Sequence, residues 1–312
     1  MTKKAEIYYF RFPNCKDKAE KLRLIDSSNF KDLPFDRIFP DKNHNWINQT
    51  DNDFESLMPV CDKQVKLGKS QNAIFKLFSN GVATNRDDWV YDFSEDNLEK
   101  KMRFFFDEYN KEVDRWENWK TENSYKEITD ESNPVLDNFL AEKSTIKWSK
   151  MLKRDKLRKH KKGEFEGSDI KPCFYRPFVK SHIYNGYIPI DVKGEFSKIL
   201  VKENKIITTM GDCSGKSFFV LSIDLLPDLN FVSPGAGGTR CFPLYVYDKP
   251  GNRHDNITNW AWTEFKTHYA CELTKTDIFH YVYAVLHHPV YREKYEQNLK
   301  REFPRVPFYD DF

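Results

Sequence analysis

Between Ser94 and Asn123 a single apolar stripe runs through an otherwise charged segment. Leu98, Met102, Phe105 or Phe106, Tyr109, Val113 and Trp116 recur at steps of three and four, the spacing that lines one face of an α-helix. Ser94 precedes EDNLEK, and a hydroxyl at the N-cap with acids in the first turn suits a helix start. A long helix with one apolar face must lay that face on something. The rest of the chain has to provide the surface.

Strand-forming segments are available to do so. Asn204–Met210 and Ser217–Leu226 are β-branched and aromatic, and the polar, Gly-containing turn between them predicts a β-hairpin. Val232–Asp248 reads as a Gly-rich loop feeding a strand. Ala73–Phe93 reads as an apolar run, the polar loop ATNRDD and an aromatic strand, WVYDF. The C-terminal part turns helical: Thr258 suits the N-cap of a helix to Tyr269, a second amphipathic helix covers Thr274–His288, and Pro289 fits the first turn of a third. The expected fold class is α+β, with a central mixed or antiparallel sheet, a long helical segment and a helical C-terminal cap. Ahead of this, residues 5–12 read as a strand, Cys15–Asp26 as a charged helix and Ser27–Asp53 as a connector rich in Asn, Asp and Pro. The expected division falls between 1–56, an arm and linker, and 57–312, the main domain.

Net charge is only +2, so a uniformly basic surface is not expected, but the charge is segregated. Residues 92–142 hold 15 acids against 7 bases, and Lys147–Lys162 then hold 9 Lys or Arg and one acid, Asp155. Such a run is often a solvated helix face. Here it leads into DIKPCFYRPFVKSHIYNGY, where Arg176 and Lys180 alternate with Phe174, Tyr175, Phe178 and Tyr184. Cations interleaved with aromatics can neutralise phosphates and offer flat surfaces to bases.

Catalytic signatures are missing. GDCSGKS resembles a phosphate-binding loop, but Gly211 and Gly215 are three residues apart rather than four and a strand follows instead of a helix. Lys216 is expected to be a solvated or anion-facing hairpin residue. Gly235, Gly237 and Gly238 do not form a dinucleotide fingerprint. His280 and His287 share a helix face without the acid of a zinc-protease motif, and a capping or interface role suits them better. The six cysteines form no C-x-x-C pair, which fits small buried side chains in a reducing cytoplasm. No apolar run approaches a membrane span, and the cytoplasm is the expected location.

Five strings, IFKLFSNGVATNRDDWVYDF, IKPCFYRPFVKSHIYN, TRCFPLYVYD, NITNWAWTEF and DIFHYVYAVLHHPVYREKYEQNLKREFPRVPF, stand in this order in the chain. Together they resemble the C-terminal specificity domain of type ISP restriction-modification enzymes, single polypeptides joining a nuclease, a helicase-like ATPase, a coupler, an adenine methyltransferase and a target recognition domain. The resemblance runs from about Trp46 to Phe308. AEIYYFRFPNCKDKAEKLRLID is similar to the segment that leaves the methyltransferase core. The resemblance implies a non-catalytic domain that recognises double-stranded DNA, with the methyltransferase domain of the parent polypeptide as its other partner. It implies no cofactor here; S-adenosylmethionine, ATP and Mg belong to the full-length family enzyme.

Such a domain must grip phosphates for register and present side chains to base edges. Lys147, Lys150, Lys153, Arg154, Arg176, Lys180 and Lys216 are the candidates for the first task. Thr84, Asn85 and Arg86 on one loop, and Thr239 and Arg240 on another, are the candidates for the second. Structural alternatives stand beside them: an Asx-turn for Asn85, an ion pair to Asp87 or Asp88 for Arg86, and a fold-stapling role for Arg176. Two other functions stay open at this point. One is a degraded methyltransferase or nuclease with its own ligand site; the other is a docking module whose helical C-terminus meets a partner.

Overall fold

The structure, a computed structural model, describes residues 5–12, 17–47, 49–126, 133–143, 145–211, 216–233, 235, 237–248 and 251–312. It divides into two compact units, Met1–Ser56 and Leu57–Phe312. In the first, β1 (Ile7–Tyr9) is followed by α1 (Lys18–Ser27) and β2 (Asp36–Ile38). Asp17 caps α1 in a capping box with Glu20. The stretch expected to be a plain connector instead returns as β2, which pairs antiparallel with β1, Ile7 opposite Ile38.

The second unit runs β3 (Met58–Pro59), α2 (Lys63–Lys66), β4 (Ser79–Asn80), α3 (Asp87–Val90), β5 (Tyr91–Asp92), α4 (Glu95–Glu122) and α5 (Pro134–Ala141). The hairpin β6 (Ile170–Arg176) and β7 (Val179–Tyr184) follows, then β8 (Ile206–Met210), β9 (Val220–Ile223), β10 (Leu226–Pro227), β11 (Thr239–Pro243), β12 (Tyr245–Tyr247) and β13 (Arg253–Asp255). The chain ends through α6 (Asn259–Tyr269), α7 (Lys275–His287), α8 (Pro289–Lys294), α9 (Glu296–Leu299) and β14 (Arg305–Val306). Where one central sheet was expected there are two of four strands. The first, β10-β6-β7-β5, is mixed because β10 lies parallel to β6; the second, β4-β11-β8-β9, is antiparallel throughout.

The stripe of α4 meets the first sheet. Leu98, Met102, Phe105, Phe106, Tyr109, Val113 and Trp116 are buried there in one cluster with Cys173, Ile183 and Tyr184 of the β6–β7 hairpin. Each large apolar side chain so buried contributes about 1.5–3 kcal/mol over leaving it exposed. Ser94 Oγ accepts the Asn97 N–H and starts the helix; the chain leaves it through Ser124, whose φ is +50°. WVYDF, expected as a strand, is split. Asp87–Val90 is helical because Trp89 lies flat on Phe104 of α4, ring centroids 6.0 Å apart, and only Tyr91–Asp92 pairs with β7. Here tertiary packing overrides strand propensity. The C-terminal helices are capped as expected, by Thr258 and Thr274. Phe279 of α7 reaches the second sheet through Phe75, which packs on Phe242 of β11.

Among the described residues no helix is long and apolar enough to cross a membrane.

Candidate nucleic-acid interface

The two sheets are stitched together at one end by the dipeptide Asp228–Leu229. Asp228 N–H donates to Phe174 O at the end of β6, Leu229 N–H to Val82 O, and Thr239 N–H at the start of β11 to Leu229 O. Gly81 N–H reaches Thr239 O, and Gly211 N–H, just past β8, reaches Gly238 O at 2.7 Å. The segment after β4, the upper part of the β6–β7 hairpin, Gly211 just past β8 and Gly238 just before β11 therefore meet at this end. Residues 212–215 of GDCSGKS lie outside the described residues. Gly211 is required by closeness: a Cβ there would lie 2.0 Å from Gly237 O.

Arg176 anchors the hairpin to the junction. Its Nη1 is 2.7 Å from Asp228 Oδ1, its Nη2 3.6 Å from Asp87 Oδ2, and its guanidinium lies 3.9 Å from the Tyr175 ring. Tyr91 Oη donates to Asp228 Oδ2 and Tyr175 Oη to Asp87 Oδ2. Burial pushes the Asp228 carboxyl above the ordinary aspartate range despite Arg176. The stapling role of Arg176 is thus the one the geometry shows. Its side chain remains 34% exposed, so one edge still faces outward. The turn beyond it is Pro177–Phe178. Phe178 has φ +63° and is 81% exposed. Proline second and a positive φ third is the pattern of a type II turn, which favours Gly or Asn at the third position.

Three of the expected base readers point inward. Arg86 is fully buried: its Nη2 is 3.0 Å from Asp191 Oδ1 and 2.6 Å from Ser149 Oγ, its Nη1 donates to Pro189 O and its Nε to Lys147 O. Its partner is Asp191, not Asp87 or Asp88. Thr84 is buried, donates to Asp87 and accepts the Arg86 N–H. Thr239 is buried and accepts the Val232 N–H at 3.1 Å. None of the three can reach a groove, because all are buried and bonded inside the protein. Arg240 is half-buried, bonded to Asn80 Oδ1, with its guanidinium 5.8 Å from the Phe303 ring.

Asn85, Lys147, Lys150, Lys180 and Lys216 are exposed. Asn85 takes the left-handed conformation, φ +56°, and its amide donates to Asp191 Oδ2 at 2.7 Å. The head of the basic run is tied to this loop through the bond from Arg86 Nε to the Lys147 carbonyl. Lys180 is 5.7 Å from the Phe174 ring, and Lys216 Nζ would lie 3.8 Å from a Cβ on Gly235, so it borders the Gly-rich loop. Lys153 is held by Asp137 at 2.5 Å and Arg154 by Asp155 at 2.9 Å. The run is not a regular solvated helix: Leu152–Lys156 form a π-turn with Leu152, Lys156 and Leu157 buried, and Lys156 Nζ sits 2.9 Å from the centroid of Tyr187.

The family of Type ISP C-terminal specificity domains matches residues 73–312. The chain belongs to that family. Among solved structures it is similar to part of DrdV in a cryoEM DrdV–DNA complex, with 38% identity over 97% of this chain and 29% of that one, TM-score 0.79. It is similar to a nuclease-deletion mutant of the Type ISP restriction-modification enzyme LlaGI in complex with a DNA substrate mimic, at 28% identity, 97% and 22% coverage and TM-score 0.77. The ATP-dependent Type ISP enzyme LlaBIII bound to DNA matches at 25% identity, 88% and 16% coverage and TM-score 0.69. The chain thus spans less than a third of the length of each. No curated protein matches it.

In this specificity domain Asp228, Asp191 and Asp87 tie the loops together through Arg176, Arg86, Tyr91 and Tyr175. Sequence reasoning missed the first two because a lone Asp carries no local signal, and their partners lie 52 and 105 residues away. Phe178 was visible as one aromatic among several; its exposure was not. Among the described residues no three His, Cys, Asp or Glu side chains converge as a metal site.

Proposed function

We propose that this chain recognises double-stranded DNA as the specificity module of a restriction-modification enzyme and performs no chemistry itself. The observation that carries the reading is the meeting of the segments after β4, β6 and β8 with the start of β11 at the Asp228–Leu229 junction, with exposed Lys180 opposite Phe174 and exposed Lys216 beside Gly235, in a Type ISP specificity domain; Asn85, Lys147 and Lys150 are exposed as well. The similar proteins were solved with DNA. Lysines would neutralise phosphates and fix register, while the amide of Asn85 would face a base edge, adenine being its natural bidentate partner. A methyltransferase domain of the same polypeptide is the second partner we propose, with S-adenosylmethionine, ATP and Mg held by other domains. Exposed aromatics suit that docking: Phe93 is 73% exposed, and Phe104, 48% exposed, stacks on Trp89.

The test is fluorescence anisotropy of the full chain with labelled duplex over a salt series. Four exposed lysines on phosphates predict a slope of log affinity against log salt of about −4. No binding to any duplex at low salt would overturn the reading.

A further inference from the structure

We propose that Phe178 is a wedge, inserted between two base pairs when this chain engages its target, so that part of the recognition is of DNA deformability rather than of base edges. The inference rests on the DNA-recognition reading and gives it a mechanism. Phe178 lies outside the buried core. Its ring is 81% exposed, while its neighbours Phe174 and Tyr175 pack on Phe231 and Tyr91. Its backbone is in the left-handed region, φ +63°, which a bulky side chain rarely adopts and which Gly would take without strain. A strained, solvent-facing aromatic at the tip of the β6–β7 hairpin points to a partner outside the chain.

The mounting fits a wedge. Insertion must meet the cost of unstacking a base step, so the ring has to be held stiffly. Arg176, two residues before it, is clamped by Asp228 and Asp87 and stacked on Tyr175. Cys173 and Ser181 are buried lower in the same hairpin. Cations flank the ring: the outward edge of Arg176 on one strand and exposed Lys180 on the other. They are placed to hold the phosphates on either side of an opened step. A flexible pyrimidine–purine step is the cheapest to open, and is the step such a ring would select.

The experiment uses the full chain and a duplex enriched by it from a randomised pool, scanned with 2-aminopurine at successive positions. Wild type should raise 2-aminopurine fluorescence at one step, and Phe178→Trp should preserve that signal. Phe178→Ala and Phe178→Gly should abolish it and weaken binding about 5- to 100-fold, with the salt slope unchanged because no phosphate contact is lost. Phe178→Gly should also keep or raise Tm, which separates a lost ring from a damaged fold. If the Ala and Gly variants match wild type in affinity and fluorescence, the wedge is overturned and the DNA reading stands. If wild type binds no duplex at low salt, both fall together.

Discussion

Arg86 and Asp191 form a buried ion pair, Nη2 to Oδ1 at 3.0 Å, with side chains 0% and 2% exposed. Burial pushes the Arg86 guanidinium below its ordinary pKa, and Asp191 works against that. Removing the arginine strands a carboxylate in the interior. Arg86→Met should cost ~3–5 kcal/mol, a fall of roughly 10 °C in Tm for a chain of this size. Arg86→Lys should not rescue it, since an ammonium cannot serve Asp191, Ser149, Pro189 and Lys147 at once. Calorimetry of the two variants checks this.

Lys147 and Lys150 should contribute charge and no sequence information. The Lys147→Ala/Lys150→Ala double variant should bind all duplexes more weakly by a similar factor. Its salt slope should be shallower by about 2. An affinity loss confined to one sequence would contradict their assignment to phosphates.

Asn85 should behave in the opposite way. Asn85→Gly keeps the left-handed backbone, φ +56°, and deletes the amide together with its bond to Asp191 Oδ2. Discrimination at one base position should drop by ~1–3 kcal/mol, with the salt slope unaltered. Competition assays against single-base variants of the enriched duplex provide the measurement.

Tyr187 is expected to ionise early. A hydrogen bond from Lys161 at 2.9 Å, and then one from Lys156, bring its pKa down to about 8. A phenol whose folded pKa lies below its unfolded value stabilises the fold above the unfolded value and loses that contribution as pH falls through the folded one. Stability from this group should therefore rise between about pH 8 and 10. The tyrosinate absorbance appearing near pH 8 should vanish in Tyr187→Phe and move up in Lys161→Gln.

The contact between Gly211 and the Gly237–Gly238 dipeptide leaves no room for a methyl group. Gly211→Ala would place Cβ 2.0 Å from Gly237 O and 2.7 Å from Gly238 O. Backbone on both sides must move, at a cost of about 1–3 kcal/mol. A Tm no lower than that of wild type would show that the two segments are not packed as described.

Local rules were enough for the parts of this fold that local physics decides. The α4 stripe, the caps Ser94, Thr258 and Thr274, and the β8–β9 hairpin follow from spacing and hydroxyl placement, and all are where the sequence reading put them. What could not be read depends on distant partners. Trp89 left a strand-like string for a helix because Phe104 offered a stacking surface. Arg86 and Thr239 look like loop side chains until Asp191 and Val232 are placed beside them. Lys147, Lys150, Lys180 and Lys216 stayed exposed, as long cations do by default.

The Asp228–Leu229 junction has an implication for how such a domain changes allegiance. Its bonds are made by backbone groups and by the buried Asp228 carboxylate, and of these partners Arg176 keeps one edge at the surface. On the proposed reading, exchanging the few residues that face outward should redirect the protein to another sequence while the scaffold stays as it is. A new preference need not be bought with a new architecture.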